Sequence, residues 1–309
     1  MVENPKLRYP DHLPRPLRLL IPFPLLVLSF CSLAPIAVWD YPSPTKSSAR
    51  FENIGKISDR SIPEPSGLVK SRRWPDLFWT HNDSGGDARI FAIRQDGSGI
   101  DPSRSNSGIE VAGAQNVDWE DIAIDDEGYL IIGDIGNNVT DREILALYRV
   151  QEPDPFRNRR TGSAERISVY FPDSPNRAFD CEALFSAEGE IYLLTKTRGG
   201  KNTGLYRVDR TRPEEKSPLL RIGSFDFGSP VTGADSSPDG RFLAVLTYAA
   251  VWVFERPTGS ANYLAGRKSS FPFRIWQCEA VSFDRDRLLI VNEGGRLFEL
   301  KVNIPQSLQ

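Results

Sequence analysis

After residue 50 the chain alternates large apolar and polar side chains in short runs, the period of a half-buried strand, with Gly, Pro, Asn and Asp between them. The clearest case is Val117 to Asn138, VDWEDIAIDDEGYLIIGDIGNN. Ile122 and Ile124 alternate in a first strand, Asp-Asp-Glu-Gly makes a turn, and Tyr129, Leu130, Ile131 and Ile132 form a second strand. The two ends of an antiparallel hairpin lie side by side. Glu120 at the start and Asp134 at the exit are therefore predicted to meet.

The same design recurs. It reads EALFSAEGEIYLLTK from Glu182 to Lys196 and EAVSFDRDRLLIVNE from Glu279 to Glu293. Between these two, Asp235 opens a copy whose turn is Ser-Pro-Asp-Gly and whose second strand, FLAVLT, runs up to Tyr248. A looser copy, SGLVKSRRWPDLFWTHND, runs from Ser66 to Asp83. Each hairpin is followed by a third strand of alternating large residues: RIFAIR, LALYRV, GLYRVD, VWVFER and RLFELK. SGIEVAG, RISVYF, LLRIGSF and KSSFPFR read as fourth strands. The last copy ends after three strands, and the orphan RFENIGKIS at the front is placed to complete it. Repeats of this length built from short strands mean a propeller or a related array. The expected fold is all-β: a β-propeller of five four-stranded blades over 51–309, with six blades as the alternative.

Composition adjusts this picture in two places. The formal net charge is −3, acids and bases are mixed, and no basic stripe carries interleaved aromatics, so nucleic acid is not an expected partner. At the front, Leu19 to Trp39 is an uncharged run long enough to span a bilayer, with basic residues before it and Asp40 after it. The reading is a cytoplasmic basic tail over 1–18, a transmembrane signal anchor over 19–39 and a linker over 40–50. The propeller is then membrane-anchored outside the cytoplasm, in the periplasm or the extracellular space; secretion after signal cleavage is the alternative.

The candidate chemistry lies at one end of the innermost hairpins. Strand-start pairs (Glu64/Ser66, Asp118/Glu120, Asp180/Glu182, Gly233/Asp235, Gln277/Glu279) and exit pairs (Asn82/Asp83, Gly133/Asp134, Thr195/Lys196, Thr247/Tyr248, Asn292/Glu293) would surround one mouth of the central channel. Crowded carboxylates either hold protons or recruit a cation. With oxygen donors in excess and only two histidines in the chain, the cation expected is Ca²⁺, ahead of Mg²⁺ or Mn²⁺. Glu120, Glu182, Asp235 and Glu279 are the candidate metal ligands. Asp83, Lys196, Tyr248 and Asn292 are candidate substrate contacts. Asp134, Glu293 and His81 are candidate catalytic groups. A ring of polar residues lining a water-filled channel, with Lys196 as an internal counter-charge, is the structural alternative. Cys181 and Cys278 each precede a ring glutamate, as a disulfide or as two buried thiols.

The motifs THNDSGG, DWEDIA, GDIGNN and DCEAL, the Thr-Gly-Ala-Asp that runs into SSPDG, and EAVSF with NEG, across about residues 60 to 300, resemble an uncharacterised family of bacterial extracytoplasmic β-propeller proteins. That resemblance implies the fold and no activity. More distantly, the Glu-led inner strands are similar to those of β-propeller phytases and gluconolactonase-type propellers, which implies a calcium-dependent hydrolase of phosphate esters or lactones. A phosphate-binding mouth needs several basic residues, and here only Lys196, with Arg198 close by, supplies them. The two functional expectations are a binding propeller, taking a small molecule or a protein loop with a divalent cation, and a metal-assisted hydrolase.

Overall fold

The computed structural model describes residues 50–100, 108–138, 141–174, 178–197, 201–211 and 216–302. The basic tail, the apolar span 19–39 and the linker up to residue 49 lie outside the described residues. Among the described residues no helix is long and apolar enough to cross a membrane. Among the described residues, one 3₁₀ turn, Tyr263–Ala265, interrupts an otherwise all-β arrangement.

The strands follow the alternation read from the sequence. β1 (Phe51–Lys56) precedes β2 (Pro65–Lys70), β3 (Leu77–Asn82), β4 (Arg89–Arg94) and β5 (Ile109–Ala112). Next come β6 (Trp119–Ile124), β7 (Tyr129–Asp134), β8 (Leu145–Gln151), β9 (Arg160–Ser163) and β10 (Glu165–Tyr170). β11 (Cys181–Ala187), β12 (Glu190–Thr195), β13 (Thr203–Val208) and β14 (Ser217–Phe225) follow. The chain continues with β15 (Val231–Ser236), β16 (Phe242–Thr247), β17 (Ala250–Glu255) and β18 (Arg267–Pro272), then β19 (Cys278–Asp284), β20 (Arg287–Asn292) and β21 (Arg296–Lys301).

Pairing runs outward from β2, β6, β11, β15 and β19, each through an antiparallel meander. After β19, β20 and β21 the outermost partner is β1, so the first strand of the domain pairs with the last. A short parallel contact between β10 and β14 links two of the meanders, and β9 adds a parallel strand outside β5. The alternation anticipates every strand except β9, whose RTGS carries no apolar pattern.

The five inner strands touch in a closed circuit, β2–β6–β11–β15–β19 and back to β2. Five apolar clusters fill the gaps between consecutive meanders. One is built on Trp79, Trp119 and Ile132, the next on Ile131, Leu184 and Phe171. Two more hold Phe185, Val245 and Phe254, then Leu246, Val281 and Leu300. The last, with Phe78, Ile93, Val291 and Leu297, joins the end of the chain back to its beginning. Side chains alternate across a strand, so both faces of each meander are apolar and each is buried against a neighbour. The result is propeller-like.

The inner edges face the axis with backbone groups that no further strand can satisfy. Side chains do it instead. Asp121, fully buried, accepts from the N–H groups of Ile122 (2.9 Å), Leu184 (2.9 Å) and Ala234 (3.2 Å), tying β6 to β11 and β15. Asp235 accepts from Phe283 N–H (2.8 Å) and from the Ser282 hydroxyl (3.2 Å), and Ser282 Oγ in turn accepts from Lys70 N–H (3.0 Å). Ser66 Oγ donates to Glu120 O, Thr232 Oγ1 to Cys278 O, and Ser236 Oγ to Ser186 O. Buried backbone groups are nearly always paired, and these bonds lace the ring together.

Candidate functional site

Near its start each inner strand slips register by one residue against its partner. The slip leaves Gly67, Glu120, Glu182, Thr232 and Glu279 without an opposite residue. A bulge re-aims the extra side chain. The three bulge glutamates line a common cavity of about 410 Å³ together with Glu64, Asp83, Asp118, Lys196, Tyr248, Gln277 and Glu293. Inner strands from four of the meanders contribute, so residues remote in sequence converge because the circuit closes.

One side of the cavity is dense in carboxyl groups. Oxygens of Asp83, Asp118 and Glu120 lie within 4.8 Å of one another, and so do those of Glu120, Asp180 and Glu182. Glu120 and Glu182 are 5 % exposed each, with carboxyl oxygens within 4.8 Å of one another. Burial first, and then the Glu182 charge, push the Glu120 pKa far up. Glu182 is also raised by burial, against the pull of Lys196, whose Nζ stands 2.7 Å from its Oε1. Burial works against the Lys196 charge, but Glu182 outweighs it and raises that pKa. Asp118 is pushed up to about 6, by burial first and then by Asp83. Glu279, on the far side, is pushed up to about 7, mainly by burial.

The loop after β7 closes over this cluster. Asp134 Oδ1 accepts from Asp118 N–H (2.9 Å) and pairs with Arg142 (2.9 Å), whose guanidinium also donates to Gly136 O. Asn137 N–H donates to Asp180 Oδ1 (2.7 Å). A methyl group on Gly136 would collide with Glu120 Oε1 and stand 2.5 Å from Asp118 Oδ2. The missing side chain at Gly136 lets the backbone pass against the acids.

Of the residues singled out from sequence, Glu120, Glu182, Glu279, Asp83, Lys196, Tyr248 and Glu293 line the cavity. Asp235 does not. The bulge position in its strand is Thr232, three residues earlier, and Asp235 lies deeper on the axis as a link to Phe283 and Ser282. Asp134 does not either, because Ile135 is the residue whose N–H meets Asp118 O, as Lys196 N–H meets Asp180 O and Glu293 N–H meets Gln277 O. One position along a strand turns a side chain to the other face, and Asp134 is spent on Arg142. For the same reason Asn292 faces away, its amide donating to Trp276 O (3.2 Å) and its Oδ1 accepting from Arg296 N–H (2.9 Å). His81 is fully buried edge-on against Trp119 (5.5 Å), and burial drags its pKa down to about 4. It is not among the residues that line the cavity. Cys181 and Cys278 are buried free thiols.

Asp118 and Asp180, not among the metal ligands expected from sequence, complete the two triads. The Asp-x-Glu spacing in DWE and DCE, absent from the other copies, is the signal that marks them. Asp121 carries no such signal, because nothing in its local pattern separates it from a strand residue.

This architecture and its polar axial mouth place the chain among β-propeller-like proteins. A luciferin-regenerating enzyme is similar over 83 % of this chain and 96 % of its own, with a TM-score of 0.50 at 12 % identity. The PQQ-bound aldose sugar dehydrogenase of Streptomyces coelicolor matches over 84 % and 99 % (TM-score 0.46, 10 % identity). An auxiliary nutrient binding protein of Bacteroides thetaiotaomicron matches over 82 % and 76 % (TM-score 0.43, 10 % identity). At such identities the likeness is one of fold. No protein-family model matches the chain, and no curated protein matches it by sequence.

Proposed function

We propose that residues 51–302 form a five-bladed propeller of the extracytoplasmic group that the motifs resemble, held at a membrane by the span 19–39. Its mouth binds a divalent cation, and a ligand docks beside that ion. The observation that carries this reading is the pair of overlapping carboxyl triads built on Glu120, with Gly136 as the cradle that admits them. All the donors are oxygen, several are carboxylates, and they come from loops and bulges that tolerate irregular geometry. Those features favour Ca²⁺ over the smaller, strictly octahedral Mg²⁺. Glu120 would bind the ion on losing its proton, so an ion and a proton compete for one place.

Binding fits these side chains better than hydrolysis. Asp134 is committed to Arg142 and His81 is buried outside the cavity, so of the three catalytic groups expected from sequence only Glu293 lines the mouth. Lys196, held by Glu182 and 5.7 Å over the Tyr248 ring, is positioned for a polar ligand group.

The test is thermal melting of the full-length chain in EDTA and in Ca²⁺. A ligand of the folded state at a hundredfold excess over its Kd adds about 2.7 kcal/mol. The expected result is a higher melting temperature in Ca²⁺, with most of the gain lost in Asp118→Asn and Glu182→Gln. No gain at millimolar Ca²⁺ overturns the cation reading.

A further inference from the structure

Three exposed apolar side chains stand at one repeat position on the rim of the mouth. Val117, Phe179 and Trp276 are 44 %, 44 % and 70 % exposed, and each lies three residues before a bulge glutamate: Glu120, Glu182 and Glu279. Scattered exposed hydrophobics are ordinary on a protein surface. Three at one repeat position are not scattered: Val117 lines the cavity, Trp276 precedes the lining residue Gln277, and Phe179, whose ring also packs edge-on against Phe171 (4.9 Å), precedes Asp180 of the second triad. The two copies without a bulge glutamate have Glu64 and Ser229 at that position. Trp276 is the most exposed of them. Its neighbour Gln277 adopts φ 41°, a left-handed conformation rare for a residue with a side chain.

Inside the rim the lining is acceptor-rich. Seven carboxyl groups (Glu64, Asp83, Asp118, Glu120, Glu182, Glu279 and Glu293) face one Lys196. Glu293 Oε2 is shielded from water and meets no donor among the described residues. Buried acceptors are normally satisfied, so the group this oxygen suits is a donor. Glu293 and Glu279 line the same cavity but belong to neither carboxyl triad.

The geometry points to a partner segment that inserts one basic side chain, arginine or lysine, against Glu293 and Glu279 and seats flanking apolar residues on Val117, Phe179 and Trp276. The inference rests on the mouth being the ligand site, but not on the cation. Charge complementarity selects the inserted group: guanidinium and ammonium carry donors only, and desolvated cations are favoured over aromatic faces such as the exposed indole. The apolar collar selects the flanks. A free amine would leave the collar unused, and an apolar peptide would leave the carboxyl groups without a donor.

The probe is acetyl-Phe-Leu-Arg-Leu-Phe-amide, titrated into the full-length chain in EDTA by calorimetry and tryptophan fluorescence. Its norleucine counterpart and argininamide are the controls. The arginine peptide is expected to bind at least about tenfold more tightly than either control, and Glu293→Gln to weaken it about tenfold or more, in the range of a truncated interfacial charge pair. Trp276→Ser is expected to weaken it several-fold and abolish the fluorescence change. Equal binding of the norleucine peptide, or unchanged affinity in Glu293→Gln with an unchanged melting curve, overturns the inserted cation. Equal binding of argininamide overturns the collar. If the peptide binds while Ca²⁺ leaves the melting temperature unmoved, only the cation reading fails; if Ca²⁺ stabilises and no peptide binds, only this inference fails.

Discussion

At the scale of single residues, the mouth is governed by how close a backbone can come to acidic side chains. Gly136 sits where a methyl group would meet Glu120 and Asp118 at the ends of their side chains. Those ends can swing, so Gly136→Ala is expected to change stability in EDTA by less than about 1 kcal/mol. The same swing spreads the triads, so the variant should lose the stabilisation by Ca²⁺. Parallel melts with and without the ion measure both. A variant that keeps the full Ca²⁺ gain would show that the ion does not use Glu120 and Asp118. Gly67 answers a different need: it holds φ 68° at the bulge where three of the other inner strands carry glutamate, pressed against His81 Nε2 and Ile122 N.

At the scale of elements, the ring closes through carboxylates as much as through apolar packing. Asp121 is met by three N–H donors from three inner strands and by no acceptor in those bonds. Burial pushes its pKa well up against the pull of the donors, and both carboxyl oxygens already accept from backbone N–H groups. Asparagine would turn an N–H₂ group toward backbone N–H. Asp121→Asn is therefore expected to cost about 2–3 kcal/mol, the range for a buried bond broken with a donor left unmatched. Urea unfolding reads this directly. A loss below about 0.5 kcal/mol would mean that the acid is carried neutral and the link is weak. The strands themselves were legible beforehand because each alternates with period two. β9 was not, since its RTGS is held in place by pairing with β5 rather than by apolar burial.

Across the whole molecule, the clustered acids tie stability to pH. Asp118, Glu279 and Asp235 rise to about 6, 7 and 7 from ordinary values of 3.8, 4.5 and 3.8, burial being the first cause in each. The folded chain then binds more protons than the unfolded one, so stability falls as pH rises from about 4 through 7. His81 acts in the opposite direction, costing stability as pH falls from 6.5 toward about 4. Three acids outweigh one imidazole, so the melting temperature in EDTA is expected to fall between pH 5 and pH 8. If the proposed cation takes the place of protons at Asp118 and Glu120, the gain from Ca²⁺ is larger at pH 8 than at pH 5. An equal gain at both would place the ion away from the titrating carboxyl groups.

The amino-acid sequence alone determined the strands, their repeat and the closure of the last meander by the first strand, because period-two alternation and turn residues act locally. It also marked Glu120, Glu182, Glu279 and Lys196, whose spacing from a hairpin turn is a local quantity. The tertiary structure alone decided which neighbour of a pair faces the axis. The bulge position of the fourth copy is Thr232, three residues before Asp235, and the exit position of the second is Ile135, one residue after Asp134. Register is set by pairing between strands, and a slip of one residue reverses the direction of every side chain beyond it.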